Sequence, residues 1–254
     1  MSVAICVMAN KVFVLGTFDQ PVAALFDVDL MRYLSDVGID LAGVIYKNSQ
    51  RDRNPAHPVG SQQPDNGKVC LHVRNFSDRE VVACVNDLRP DLLIYAGGRD
   101  ILRQPLLEAA RLGCIGGHYG YLPAVRGMAT VEWSVLLGIP LTVAIQRISP
   151  GIDTGDILMQ ASVPLVPGDT YASIRDRSYF LTKTMLALSA NALLNNDWHG
   201  TAQVPEDGKQ YYRIHSRLQE KAQHALGALL SLRRRPASAD FLRKGQGDLQ
   251  KGGL

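Results

Sequence analysis

The chain has no pair of cysteines at metal-binding or redox spacing. Its four cysteines, Cys6, Cys70, Cys84 and Cys114, lie far apart with no C-x-x-C, which excludes zinc-ribbon and thioredoxin-like sites, so no metal is expected. Three of them stand in apolar surroundings and read as buried thiols in a reducing compartment. No apolar run approaches the ~18 residues that cross a bilayer, so no membrane helix and no membrane partner are expected. The apolar start, residues 3–9, has neither a basic flank nor a cleavage site, and residues 11–15 continue as a strand. A signal peptide is therefore not expected, and the cytoplasm is the default location. A strong charge imbalance is also missing, since 27 Lys and Arg against 24 Asp and Glu leave a net +3. Much of the positive charge gathers in Arg233, Arg234, Arg235, Arg243, Lys244 and Lys251. Phe241 is the one aromatic residue among these six, too few to make an interleaved basic face, so they read as a solvated tail rather than a nucleic-acid face. Internal repeats are absent.

What remains is an ordinary globular composition, 46% hydrophobic and 20% charged. The 254 residues suit one domain of about 190 to 200 residues plus an appendage. We place the domain at residues 1–196 and the appendage, with a helix from Ser216 and a basic tail, at 197–254. Within the domain, short β-type runs alternate with helical patterns. Strands are expected at residues 12–15, 41–46, 91–96, 114–115, 141–148 and 157–166. Helices are expected at 21–37, 77–88, 104–111, 130–138 and 172–195. Ser77 with Glu80 reads as a capping box, and Asp169 as the cap of the last helix. Residues 50–68, polar with three prolines, read as a loop. Trp133 reads as core. Such alternation, with near-continuous apolar strands, predicts an α/β fold: a Rossmann-like, mostly parallel sheet with helices on both faces.

In such sheets ligands sit at the carboxyl ends of the strands. Those ends carry Gly16 and Thr17, Gly97 and Gly98, and Gly116 and Gly117, where a missing side chain lets backbone approach a ligand. Such glycines equally serve tight turns. His118 follows the third pair, in a loop that runs through Tyr119, Tyr121, Leu122 and Arg126 to Gly127. At that place a histidine can accept a proton from an attacking amine or donate to an oxyanion. Asp153, followed by Thr154, Gly155 and Asp156, marks a second tight turn. Spacing alone does not pair Asp153 with His118, because aspartate before Thr-Gly also simply makes a turn.

On these residues the chain resembles the 10-formyltetrahydrofolate-dependent formyltransferases. That family's signature is Asn-x-His, then Leu-Pro-x-x-x-Gly, then Asp-x-Gly about 35 residues beyond the histidine. This chain has Gly116-x-His118, Leu122 to Gly127, and Asp153 to Gly155, with Asp153 35 positions beyond His118. Phe13 to Thr17 is similar to the family's opening strand and turn, and Arg89 to Leu102 to its folate-side strand and loop. The resemblance covers roughly residues 11 to 195. It implies 10-formyltetrahydrofolate as co-substrate, held by Gly97, Gly98, Ile101, Leu102, Ile152 and Asp153. It implies His118 and Asp153 as the proton-handling pair. Gly116 stands where the family has an asparagine whose amide donates to the developing oxyanion. Losing one such donor typically costs on the order of 10² to 10³ in rate. Three accounts follow: a slow or non-catalytic folate- or metabolite-binding protein; a neighbour such as Tyr119 or Tyr121 supplying the donor; or a site opened to another substrate or acyl group. Gln146, where many relatives have histidine, is a second departure.

The resemblance further implies a small-molecule amine as partner, on an amino-sugar nucleotide or a specialised metabolite. Gly16, Thr17, Tyr119, Tyr121, Arg126 and Glu132 are the residues placed near it. Only about 55 residues follow the core, against the ~100-residue β-rich domain with which tRNA-modifying relatives grip nucleic acid, so no nucleic-acid partner is expected. Arg126 in a structural ion pair is the plain alternative to that role. A hydrolase releasing formate is another outcome of the same site. The appendage helix, with Leu218, Leu226, Leu229, Leu230 and Leu232, suits packing on the core or on a second copy as a homodimer.

Overall fold

The computed structural model describes residues 10–18, 28–47, 60–62, 67–98, 100–195 and 200–233. The first half alternates β1 (Val12–Thr17), α1 (Asp29–Asp36), β2 (Leu41–Lys47), β3 (Gly60–Gln62), β4 (Val69–His72), α2 (Arg79–Leu88), β5 (Leu92–Tyr95), α3 (Gln104–Leu107) and β6 (Cys114–His118). Then come β7 (Val125–Gly127), α4 (Thr130–Leu137), β8 (Thr142–Arg147), β9 (Ile157–Ser162), α5 (Tyr171–Leu194), β10 (Lys209–Tyr211) and α6 (Ser216–Arg233). Eight strands form one sheet in the order β3-β4-β2-β1-β5-β6-β8-β9. It is parallel from β4 to β6, with antiparallel pairs β3–β4, β6–β8 and β8–β9 at its edges. The mostly parallel α/β prediction therefore holds.

Strand alternation sorts the sheet's side chains into two cores. Val12, Val14, Val44, Leu92, Ile94, Ile115, Val143 and Ile145 face one side, where α1, α5 and α6 bury Leu34, Met185, Leu186 and Leu226. Phe13, Leu15, Ile45, Leu71, Leu93 and Cys114 face the other, under Val81 and Val85 of α2 and Leu106 and Leu107 of α3. Burial on both faces explains why these strands read as unbroken apolar runs. The strand order reverses between β1 and β5, and a crevice opens at their carboxyl ends.

Several local expectations are corrected. The helix α2 starts at Arg79 with Asp78 at the N-cap and no side-chain cap bond, so the Ser77–Glu80 capping box does not form. Asn75 Oδ1 instead accepts from Ser77 N. The helix expected at 104–111 is one turn, α3, followed by turns. Thr170, not Asp169, caps α5, in a reciprocal box with Ser173. Trp133 is half-buried rather than core, and donates from Nε1 to Tyr212 O at 2.9 Å. The upstream part of the 21–37 helix, the 196/197 boundary, Cys6 and the basic tail lie outside the described residues. The appendage helix packs on the core: Ala222, Leu226 and Leu230 are buried, and Tyr171 Oη donates to Ala222 O. Leu218 and Leu229 are half-buried and Leu232 is exposed. Among the described residues, no helix is long and apolar enough to cross a membrane.

Asp169 has a different task. Its carboxylate takes two hydrogen bonds from Arg177, at 2.8 and 3.0 Å, and further ones from Ser173 Oγ and Val166 N. The Arg177 pair, above all, pulls its pKa down to about 2 from 3.8. A carboxyl whose folded pKa is depressed contributes stability at pH above its unfolded value. That contribution is lost as pH falls through about 4 toward 2. Asp169→Asn is therefore expected to be less stable than wild type at pH 7, and to converge with it near pH 2. Urea titrations across that range check this; a difference independent of pH would contradict it.

Candidate active site

The site is built where β1, β5 and β6 end. His118, the last residue of β6, is only 6% exposed at its side chain. Its Nε2 lies 2.8 Å from Val125 O. A carbonyl can only accept, so that nitrogen carries a proton. Its Nδ1 stands 3.3 Å from Asp153 Oδ2. Gly120 makes the first contact possible, because a Cβ there would fall 2.7 Å from both His118 Nε2 and Val125 O.

Asp153 sits in the turn between β8 and β9 with φ of +53°, a left-handed conformation that aspartate tolerates better than most residues. Its Oδ2 accepts from Gly127 N and its Oδ1 from Gln146 Nε2, both at 2.8 Å. The turn is clamped from the appendage. Gln203 Nε2 donates to Asp153 O at 3.0 Å and Gly155 O at 2.6 Å, and lies 3.4 Å from Gln146 Oε1. Gly155 is required because a Cβ there would meet Arg147 O at 1.8 Å. The structure thus joins His118 to Asp153, a pairing that spacing alone left open.

Two cavities flank the pair. The first, about 450 Å³, is lined by Tyr95, Gly98, Ile101, Leu102, Gln146 and Ile152 among others, with Gln210, Tyr211 and Tyr212 from the appendage. The second, about 750 Å³, is lined by Thr17, Phe18, Gly97, His118, Tyr119 and Tyr179 among others. Five residues line both: Tyr95, Gly98, Gly127, Ile148 and Asp153. The two spaces therefore meet over Asp153, whose side chain is 20% exposed.

Of the residues singled out from sequence, Gly98, Ile101, Leu102, Ile152 and Asp153 line the first cavity, while Gly97, Thr17, Tyr119 and His118 line the second. Gly116 is buried beside the junction, and Ile148 Cδ1 occupies the room a Cβ would need, 2.7 Å away. Gly16, Tyr121, Arg126 and Glu132 line neither cavity. Gly16 packs against Phe18 and Gly97 O. Tyr121 is exposed. Arg126 turns to the appendage and donates to Gly208 O at 3.1 Å. Glu132 pairs with Arg175. Sequence reasoning missed Tyr95, Ile148 and Gln203. A tyrosine at a strand end and a glutamine 50 residues past the turn carry no local signal.

A family model described as "Formyl transferase" matches residues 42–189. The methionyl-tRNA formyltransferase of Geobacillus sp. (strain WCH70) is 30% identical over 217 residues, 83% of this chain and 66% of that protein. That of Geobacter metallireducens is 35% identical over 121 residues, 47% of this chain and 39% of that protein. The chain thus spans less than two thirds of the length of these curated relatives. Among solved structures, a sugar N-formyltransferase from Shewanella sp FDAARGOS_354 aligns with a TM-score of 0.60 at 18% identity, covering 85% of this chain and 87% of that one. The phosphoribosylglycinamide formyltransferase of Anaplasma phagocytophilum aligns with a TM-score of 0.58 at 18% identity, over 81% and 99%. The formyltransferase PseJ of Anoxybacillus kamchatkensis, in complex with UDP-4,6-dideoxy-4-formamido-L-AltNAc and tetrahydrofolate, gives 0.55 at 20% identity, over 80% and 86%. These likenesses show the fold.

Proposed function

Because this chain belongs to the formyl transferase family, we propose that it transfers a formyl group from 10-formyltetrahydrofolate to an amine on a small molecule. The observation that carries the reading is the meeting of two cavities over one carboxylate–imidazole pair. A two-substrate group transfer needs both reactants on the same proton-handling group. The first cavity fits a folate head. Its volume is in the range of small-molecule sites, its rim carries exposed Ile101, Met128, Ile152 and Tyr212, and Gln210 adds a polar side chain to the lining. Gly98 lines this cavity as well as the second, and Gly97, with φ of +120° and nothing within 4 Å of where a Cβ would stand, leaves backbone open on the side of the second. The complex of PseJ with tetrahydrofolate and a nucleotide-linked sugar supports the same pairing of ligands.

Bound there, the folate supplies the formyl carbon. Asp153 is the half of the pair that lines both cavities, and His118, which lines the second, stands beside it. As the amine attacks, the pair takes up the proton that the amine sheds. The same proton then goes to the departing folate nitrogen as its bond to carbon breaks. Ile148, apolar and shared by both cavities, keeps competing water from the reacting carbon. The test is transfer of labelled formyl from 10-formyltetrahydrofolate to a panel of amines, hydroxylamine and amino-sugar nucleotides included. Formyl-amide product is expected. Formate release without any amine product would make the protein a hydrolase, and folate binding without turnover would make it a binding protein.

A second reading, methionyl-tRNA as acceptor, is favoured by the names of the curated relatives. The two separate on charged initiator tRNA. The small-amine reading expects no formylation and no salt-steep binding at physiological ionic strength.

A further inference from the structure

We propose that Tyr95 is a catalytic residue of this transfer, whose phenol O–H donates a hydrogen bond to the formyl oxygen as negative charge develops there. The proposal rests on the formyl-transfer reading. Acyl transfer gains most from donors fixed where the oxyanion forms. That place lies where the two cavities join, since the reacting carbon must be reached from both. Of the five residues lining both cavities, Tyr95 alone has a side chain that can donate, because ionised Asp153 only accepts.

Four other polar side chains nearby already have acceptors. His118 Nε2 is bound to Val125 O and Gln146 Nε2 to Asp153 Oδ1. Thr130 Oγ1 gives its proton to Tyr119 O and Thr182 Oγ1 to Ser178 O. The phenol of Tyr95 is held without being used up. Its oxygen accepts from Asp100 N at 3.2 Å, while among the described residues its own proton finds only Asp100 O at 3.4 Å, too long for a strong bond. The Lys47–Asp100 ion pair, 2.6 Å, pins that loop. Gly98 lets the ring in, since a Cβ there would lie 2.5 Å from Tyr95 Oη. Burial pushes the phenol up to about 12, so it stays protonated near neutral pH.

The sheet register explains why this side chain reaches the junction. Leu15, Tyr95, Gly116 and Gln146 stand opposite one another on β1, β5, β6 and β8. They form one row, and residues paired in this way project to the same face. Gly116 puts no side chain between Tyr95 and Gln146. The row thus sets the phenol beside a position without a side chain, whose space the apolar tip of Ile148 fills.

The experiment compares wild type, Tyr95→Phe and the protein carrying 3,5-difluorotyrosine at position 95, a more acidic phenol of the same shape. Formyl transfer from 10-formyltetrahydrofolate to hydroxylamine gives kcat, and titration with 5-formyltetrahydrofolate gives Kd. Tyr95→Phe is expected to lower kcat by about 10² to 10³ with Kd within about twofold. The fluorinated protein is expected to fold, and its alkaline limb of kcat to move to lower pH. Unchanged kcat in Tyr95→Phe, a loss seen only in Kd, or an unmoved alkaline limb overturns the role of Tyr95 while leaving formyl transfer standing. Wild type that neither forms product nor releases formate overturns the formyl-transfer reading, and the role of Tyr95 with it.

Discussion

Asp153→Asn is expected to lower formyl transfer by about 10³ to 10⁴, the scale seen when an aspartate that orients a catalytic histidine becomes an amide. The geometry says why the swap fails. Both carboxylate oxygens accept: Oδ1 from Gln146 Nε2, Oδ2 from Gly127 N, with His118 Nδ1 beside the latter. An asparagine has one acceptor and one donor group. With its NH₂ toward Gln146, two amide donors face each other. With its NH₂ toward Gly127, a donor meets a backbone N–H and the acidic partner of His118 is gone. Either orientation removes the group that holds the transferred proton. Rates with hydroxylamine as acceptor check this, alongside 5-formyltetrahydrofolate affinity to show that the first cavity survives. Activity within tenfold of wild type would contradict the assignment.

Gly155→Ala is expected to damage stability and activity together. A methyl group there would sit 1.8 Å from Arg147 O, backbone that belongs to β8 and cannot rotate away like a side chain. Overpacking of this kind costs about 1 to 3 kcal/mol or more, which for a domain of this size lowers Tm by roughly 2 to 4 °C per kcal/mol. The loss does not stay local. The turn that must open carries Asp153, and Gln203 binds both Asp153 O and Gly155 O. Displacing Gly155 therefore unclamps the carboxylate from His118. Thermal melts and the hydroxylamine assay are expected to fall together; full activity at a Tm near that of wild type would mean that the turn accommodates the methyl group.

The sheet was legible because its strands are buried on both faces. Val12 to Leu15, Leu41 to Tyr46 and Leu92 to Tyr95 announce themselves as apolar runs. Short edge strands do not. Gly60–Gln62, Val125–Gly127 and Lys209–Tyr211 are three residues each, and no period can be read from three residues. Helical spacing identified α5, but Phe180 and Leu188 are exposed while Ile174, Met185 and Leu193 are buried, since periodicity gives a face and not its depth.

The site shows the same division. Asp153 and the loop glycines were visible because left-handed backbone and close approach demand particular residues, and His118 because it follows a glycine pair at a strand end; only the family resemblance paired it with Asp153. The acceptor-side choices of Gly16, Tyr121, Arg126 and Glu132 line neither cavity. Arg126 and Glu132 instead have their charges engaged away from the junction, by Gly208 O and Arg175. Tyr95 and Gln203 were invisible because they matter through register and a 50-residue closure, which exist only once the chain is folded.

Calorimetric titration with 5-formyltetrahydrofolate decides whether the cavity between Ile101, Ile152 and Tyr212 takes a folate. Saturable one-to-one binding in the micromolar range is expected, weakened when Ile152 is replaced by Asp. Absence of binding at millimolar ligand would contradict it, and with it the assignment of the two cavities to donor and acceptor.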